Sequence, residues 1–156
     1  AYAGASIYSC PGYRLLTEAE WEYAYRAETQ TAYYNGANDP AACTCQGDAS
    51  LDPIAWYCGN ANSTTHPVGQ KQPNAWHLYD MAGNVWEWCH DWHEPDLGSA
   101  PKTDPAGPSS GTYKVDRGGS CFSQARFLRA AFREATLPTF QDGNVGFRCA
   151  RSLIKP

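Results

Sequence analysis

The chain has 156 residues, 42% apolar and 18% charged, with a formal net charge of −4. That length suits one domain able to bury a sizeable core, and the composition is too apolar for a disordered chain. No window approaches the 18 or so consecutive apolar residues of a membrane-spanning helix, and no Lys/Arg run marks a nucleic-acid partner.

With 14 Gly and 11 Pro, the chain is expected to be rich in loops and short strands. Thr17-Glu18-Ala19-Glu20 is a capping box, with Leu16 and Trp21 at the two staple positions. It predicts a helix from Glu18 to Ala27 whose buried face carries Trp21, Ala24 and Tyr25. Residues 30–60 are turn-rich, and one disulfide is expected there among Cys43, Cys45 and Cys58. In the stretch from Tyr79 to Trp88, Asp80 and Glu87 flank a Gly83-Asn84 turn. Such a turn folds backbone carbonyls towards two carboxylates, a donor set that suits Ca²⁺, although composition alone favours a capped turn beneath a tryptophan core. Residues 94–112 hold four Pro and three Gly and read as a surface loop. Strands are expected over Tyr113–Asp116, ending at Gly118-Gly119, over Ala125–Arg133 and over Gly146–Arg151.

Charge is unevenly spread. The first 113 residues carry four Lys/Arg against thirteen Asp/Glu, and the rest carry eight against three. Internal pairing of an acidic body with a basic C-terminal third is the favoured reading. The seven cysteines, Cys10, Cys43, Cys45, Cys58, Cys89, Cys121 and Cys149, fit no zinc spacing. Disulfides in an oxidising compartment explain them more simply, so the protein is expected to be secreted, periplasmic or on the cell surface.

Four segments taken together resemble the formylglycine-generating-enzyme family, also called sulfatase-modifying-factor domains. They are residues 13–24 (YRLLTEAEWEYA), 74–88 (NAWHLYDMAGNVWEW), 117–120 (RGGS) and 144–148 (NVGFR). The resemblance implies an α+β, C-type-lectin-like fold, loop-rich with short strands and few helices. It covers residues 13–156 as the C-terminal part of the usual family domain, after an N-terminal segment at 1–12. It implies a Ca²⁺ site built from the Asp80 and Glu87 side chains and the Gly83 and Val85 carbonyls, with a less complete second site at Asn60 and Ala61. It also implies a disulfide between Cys10 and Cys149, while Tyr25 and Ala130 stand in place of a second family disulfide.

Departures from the family pattern bear on activity. Formylglycine generators bind copper through two cysteines shortly after Gly-Gly-Ser. Here Ser123 stands at the first of those positions, the second is missing, and Cys121 is the only nearby thiol. An oxygen does not replace thiolate at Cu(I), so copper is not expected. An iron-dependent branch of the superfamily uses three histidines; His66, His77, His90 and His93 are the candidates, with His90 and His93 placed to share a helical face. A third branch comprises binding proteins with a C-terminal ligand surface, for which Phe122, Arg126, Arg129 and Phe140 are the candidates. The reading is a calcium-stabilised, non-catalytic binding or assembly domain with a protein partner or larger extracellular assembly. The alternative is a divergent copper-dependent oxidase that converts a substrate cysteine to formylglycine, with Cys121 and Ser123 at the catalytic positions.

Overall fold

A computed structural model describes residues 6–36 and 45–152, so Cys43 lies outside the described residues. In chain order these residues form β1 (Tyr13–Leu15), α1 (Glu18–Arg26), β2 (Ala55–Trp56), β3 (Ala82–Gly83), β4 (Trp86–Trp92), β5 (Lys114–Arg117), β6 (Glu134–Thr136), β7 (Val145–Gly146) and β8 (Cys149–Arg151). Short 3-10 turns occur at Ile7–Ser9 and Ala125–Leu128.

The capping box sets the start of α1. Glu20 N donates to Thr17 Oγ1 at 3.2 Å, and Thr17 N donates to Glu20 Oε2 at 2.9 Å. Glu18 and Glu20 lie in the first turn, where carboxylates favour the helix start. The helix stops at Ala27, which adopts a left-handed conformation. Trp21 and Tyr25 are fully buried, and Ala24 packs against the same core.

β4 is the centre of a four-stranded sheet ordered β6-β5-β4-β7, antiparallel to β5 and parallel to β7. Its burial alternates with the period of two expected of a strand. The buried positions are Glu87, Cys89 and Asp91, so two carboxylates face the interior. Both meet α1: Trp21 Nε1 donates to Glu87 Oε2 at 2.6 Å, and Glu18 N donates to Asp91 Oδ2 at 2.8 Å.

The acidic body and the basic C-terminal third do pair internally. Arg117, fully buried on β5, bridges Glu18 and Glu22; Arg133 pairs with Glu18, and Arg148 with Glu87. Gly118 and Gly119, both at positive φ, end β5 in tight quarters. A Cβ at Gly119 would sit 2.7 Å from Leu128 Cδ1.

Several expectations need correction. Residues 125–133 are not a strand: a 3-10 turn occupies Ala125–Leu128, and β6 begins only at Glu134. The cause is local competition for the backbone. Tyr33 Oη donates to the Ala125 carbonyl at 2.9 Å and Tyr25 Oη to the Leu128 carbonyl at 2.7 Å, so these groups serve tyrosines from the core. The stretch 146–151 is also divided, because Val145–Gly146 pairs with β4 while Cys149–Arg151 pairs with β1.

Of the expected disulfides, the one within residues 30–60 joins Cys45 to Cys58. Cys10 and Cys149 are separate thiols rather than a bridge. In the β1–β8 register Cys149 lies opposite Leu15, within the strand pair, while Cys10 precedes the bend at residues 11–12 that leads into β1. Tyr25 and Ala130, in place of the second family disulfide, are both fully buried.

Candidate functional site

The Asp80–Glu87 loop is built by two left-handed residues and a glycine. Asp80 and Asn84 have φ of 54° and 63°, and Gly83 has φ of 75°. The Asn84 side chain acts as a second backbone: its Oδ1 accepts from His66 N at 2.9 Å and its Nδ2 donates to the His66 carbonyl at 3.1 Å. Asp80 Oδ2 accepts from Gly69 N at 2.7 Å, and the Gly83 carbonyl accepts from Val85 N at 2.9 Å. Glu87 is engaged at both oxygens. Arg148 donates Nε to Oε2 and Nη2 to Oε1, each at 2.6 Å, while Trp21 Nε1 shares Oε2. Arg148 Nη2 also reaches the carbonyls of Tyr79 at 3.1 Å and Asp80 at 3.2 Å.

A guanidinium therefore lies between the carbonyls at one end of this loop and the carboxylate at the other. Of the donors that the family resemblance implies for calcium, Asp80, Gly83, Val85 and Glu87, the Glu87 carboxylate is thus paired with a guanidinium. The cation present among the donors is Arg148, from the Asn-Val-Gly-Phe-Arg motif. Asn60 and Ala61 serve a neighbouring turn. Asn60 Oδ1 accepts from Tyr57 N at 3.0 Å, and the Ala61 carbonyl accepts from Thr64 N and bonds to His66 Nε2.

The segment after Gly-Gly-Ser is a turn in which inward and outward residues alternate. Cys121 is fully buried and Ser123 nearly so, while Phe122 between them is exposed. Ser123 Oγ accepts from Ser120 N at 2.9 Å, and its carbonyl accepts from the N–H of the disulfide-bonded Cys58. Burial pushes the Cys121 thiol's pKa up, away from the thiolate that copper binding requires. One protonated thiol beside an internally bonded hydroxyl does not fit a two-thiolate copper site. The histidines do not gather either. His90 lies in extended β4 and His93 just beyond it, so the shared helical face does not exist. His66 stacks on Trp56 with ring centroids 3.8 Å apart. Among the described residues no group of three His, Cys, Asp or Glu is placed to hold a metal.

The four surface candidates all reach solvent. Phe122 is 52% exposed and Phe140 47%, and Arg126 and Arg129 are exposed. Backbone bonds tie the segments near Phe122 and Phe140 to the Asp80–Glu87 loop: Cys121 N donates to the Asn84 carbonyl and Trp86 N to the Asn144 carbonyl. Leu137 and Phe147, about half and two-thirds exposed, extend the apolar character and were not singled out from sequence. A cleft of about 770 Å³ between α1 and the 94–108 loop was also missed. The only sequence signal for it was the Pro- and Gly-rich composition, which marks a loop without saying what it covers.

Among the described residues, one α-helix, short strands, a small central sheet and long connections define a loop-rich α+β domain of the formylglycine-generating-enzyme type. The match to the sulfatase-modifying factor enzyme 1-like domain covers residues 1–153, and the chain belongs to that family. Over 146 residues it is 38% identical to the formylglycine-generating enzyme of Streptomyces coelicolor, covering 89% of this chain and 46% of that protein. Among solved structures, Treponema denticola variable protein 1 superposes with a TM-score of 0.81 at 38% identity, covering 92% of this chain and 49% of that one. PvdO from Pseudomonas aeruginosa gives a TM-score of 0.76 at 31% identity, covering 90% and 53%. The chain thus spans about half the length of these relatives.

Proposed function

We propose that this chain is a non-catalytic binding domain of the family, acting in an oxidising compartment through the face that carries Phe122, Arg126, Arg129 and Phe140. The observation that carries the reading is the turn after Gly-Gly-Ser: its one thiol points into the core and its aromatic ring points to solvent. Exposed Phe beside exposed Arg suits a partner surface that is apolar and acidic. The Cys45–Cys58 bridge supports a secreted, periplasmic or cell-surface setting. Calcium stabilisation is left out of this reading, because Arg148 already supplies a positive charge to Glu87.

Two measurements test the proposal. Anilinonaphthalene sulfonate, an anionic aromatic probe, should bind the native protein. Its fluorescence should fall severalfold in the Phe122→Ser/Phe140→Ser variant while the circular dichroism stays unchanged. Incubated with Cu(I), O₂ and a cysteine-containing peptide, the protein should form no aldehyde on the peptide. Turnover of that peptide, lost in Cys121→Ser, would establish the copper oxidase instead, a reading favoured by the identity to the Streptomyces coelicolor enzyme.

A further inference from the structure

We infer that the cleft between α1 and the 94–108 loop is a second, separate binding site, built for a small organic ammonium cation with an apolar body. Its volume of about 770 Å³ falls within the range of small-molecule sites. Tyr23, Trp92, Leu97, Pro105, Ala106 and Pro108 supply apolar walls. Charges on the walls are matched in pairs. Arg133 donates Nη2 to Glu18 Oε2 at 2.8 Å, and Arg26 donates Nε to Glu22 Oε1 at 2.8 Å, with Arg117 behind both carboxylates.

Two carboxylates remain. Asp91 is only 5% exposed yet lines the cleft. Its Oδ2 takes the Glu18 N–H, while Oδ1 accepts from no other described residue. Glu94 offers its backbone carbonyl to Arg133 Nη1 at 2.7 Å, and among the described residues its side chain has no hydrogen bond or ion pair. Two cations stand nearby. Lys114 donates Nζ to the His90 carbonyl and lies 4.1 Å over the Trp92 ring; it acts on Asp91 through space, with no hydrogen bond or ion pair to it. Lys102 lies at the exposed rim and has no carboxylate partner among the described residues. The floor of the cleft therefore carries a carboxylate with no cation in direct contact, Lys114 acting on it only through space. Gly107 lets the loop close over that floor, since a Cβ there would sit 2.8 Å from Asp91 Cβ. A carboxylate at the bottom of an apolar cleft selects a ligand with a cationic nitrogen over a neutral isostere, because the neutral ligand leaves the charge buried and unpaired.

Phenethylamine is a suitable probe, with phenethyl alcohol as its neutral isostere, followed by two-dimensional NMR of the intact chain. The amine should shift the Trp92 indole and Gly107 amide resonances and bind at least about tenfold more tightly than the alcohol. Asp91→Asn should weaken the amine about tenfold and leave the alcohol unchanged. Because Asp91 also holds the start of α1, Glu94→Gln provides a variant that spares the helix; it should weaken the amine about threefold. Ala106→Trp, which fills the cleft, should abolish binding of both probes. Equal affinity for amine and alcohol, insensitivity of the amine to Glu94→Gln, or amine shifts confined to other regions would each overturn the assignment.

Discussion

The interior of this protein holds ionised or ionisable side chains at its most enclosed positions, and each has a different consequence. Asp116, 2% exposed on β5, accepts from Thr136 Oγ1 at 3.0 Å, and burial raises its pKa to about 6; burial does the same for Asp91. A carboxyl with a raised folded-state pKa contributes stability that is complete below its unfolded pKa, near 4, and is lost as pH climbs through about 6. Between those limits each of the two should lower stability as pH rises, by on the order of 2 kcal/mol, opposite in sign to an ordinary paired carboxylate. Urea midpoints from pH 4 to 7 measure this, and Asp116→Asn should remove about half of the slope. Arg117 is a stronger test of charge pairing. It is fully buried between Glu18 and Glu22 and against the Phe132 carbonyl. Arg117→Ala should cost about 2–5 kcal/mol in chemical denaturation, since it empties a fully buried site and leaves Glu22 and the Phe132 carbonyl without a shared partner, while Glu18 keeps Arg133. Glu22→Gln, at a half-buried position, should cost about 1 kcal/mol.

Among the elements, α1 and β4 form one mechanical unit, because two inward carboxylates of the strand hold the helix at Glu18 N and Trp21 Nε1. The helix start is thus held twice, by its own capping box and by Asp91. Thr17→Ala removes the first of these and should lower stability by about 1 kcal/mol, read from the urea midpoint. A much smaller loss would mean that Asp91 alone suffices. The helix was legible because its signals are local: a cap, a box and an apolar face within ten residues of chain. β4 was not. Its sequence, Trp-Glu-Trp-Cys-His-Asp-Trp, places two acids on the buried face and tryptophans on the other, so the usual alternation reads inside out. The strand expected over 125–133 failed for a related reason, since the hydroxyls of Tyr25 and Tyr33, distant in sequence, claim the carbonyls that a strand would have used.

For the whole molecule, the separation of charge along the chain becomes neutralisation in space. The basic C-terminal third is threaded through the acidic body by Arg117, Arg133 and Arg148, so the charge asymmetry along the chain is largely resolved by internal pairs. Arg148 has the widest reach, tying the link between β7 and β8 to Glu87 and to the carbonyls of Tyr79 and Asp80. If that guanidinium is the cation of the loop, the melting temperature should be the same, within about a degree, in millimolar calcium and in chelator. Arg148→Met should lower it in both. A rise with calcium that disappears in Asp80→Ala would restore the calcium site implied by family resemblance.

From the order of residues alone came the family, the loop-rich α+β class, the capped helix and the exposed Phe and Arg positions, all of which rest on local spacing or on motifs read in series. Tertiary structure alone decided where the carboxylates go. The pairing of Glu87 with Arg148, the placing of Asp91 at a cleft, and the pairing of Cys149 with the strand after Cys10 all depend on segments far apart in sequence. Such placements follow from strand register and from competition for a few buried hydrogen bonds, quantities that no stretch of chain carries by itself.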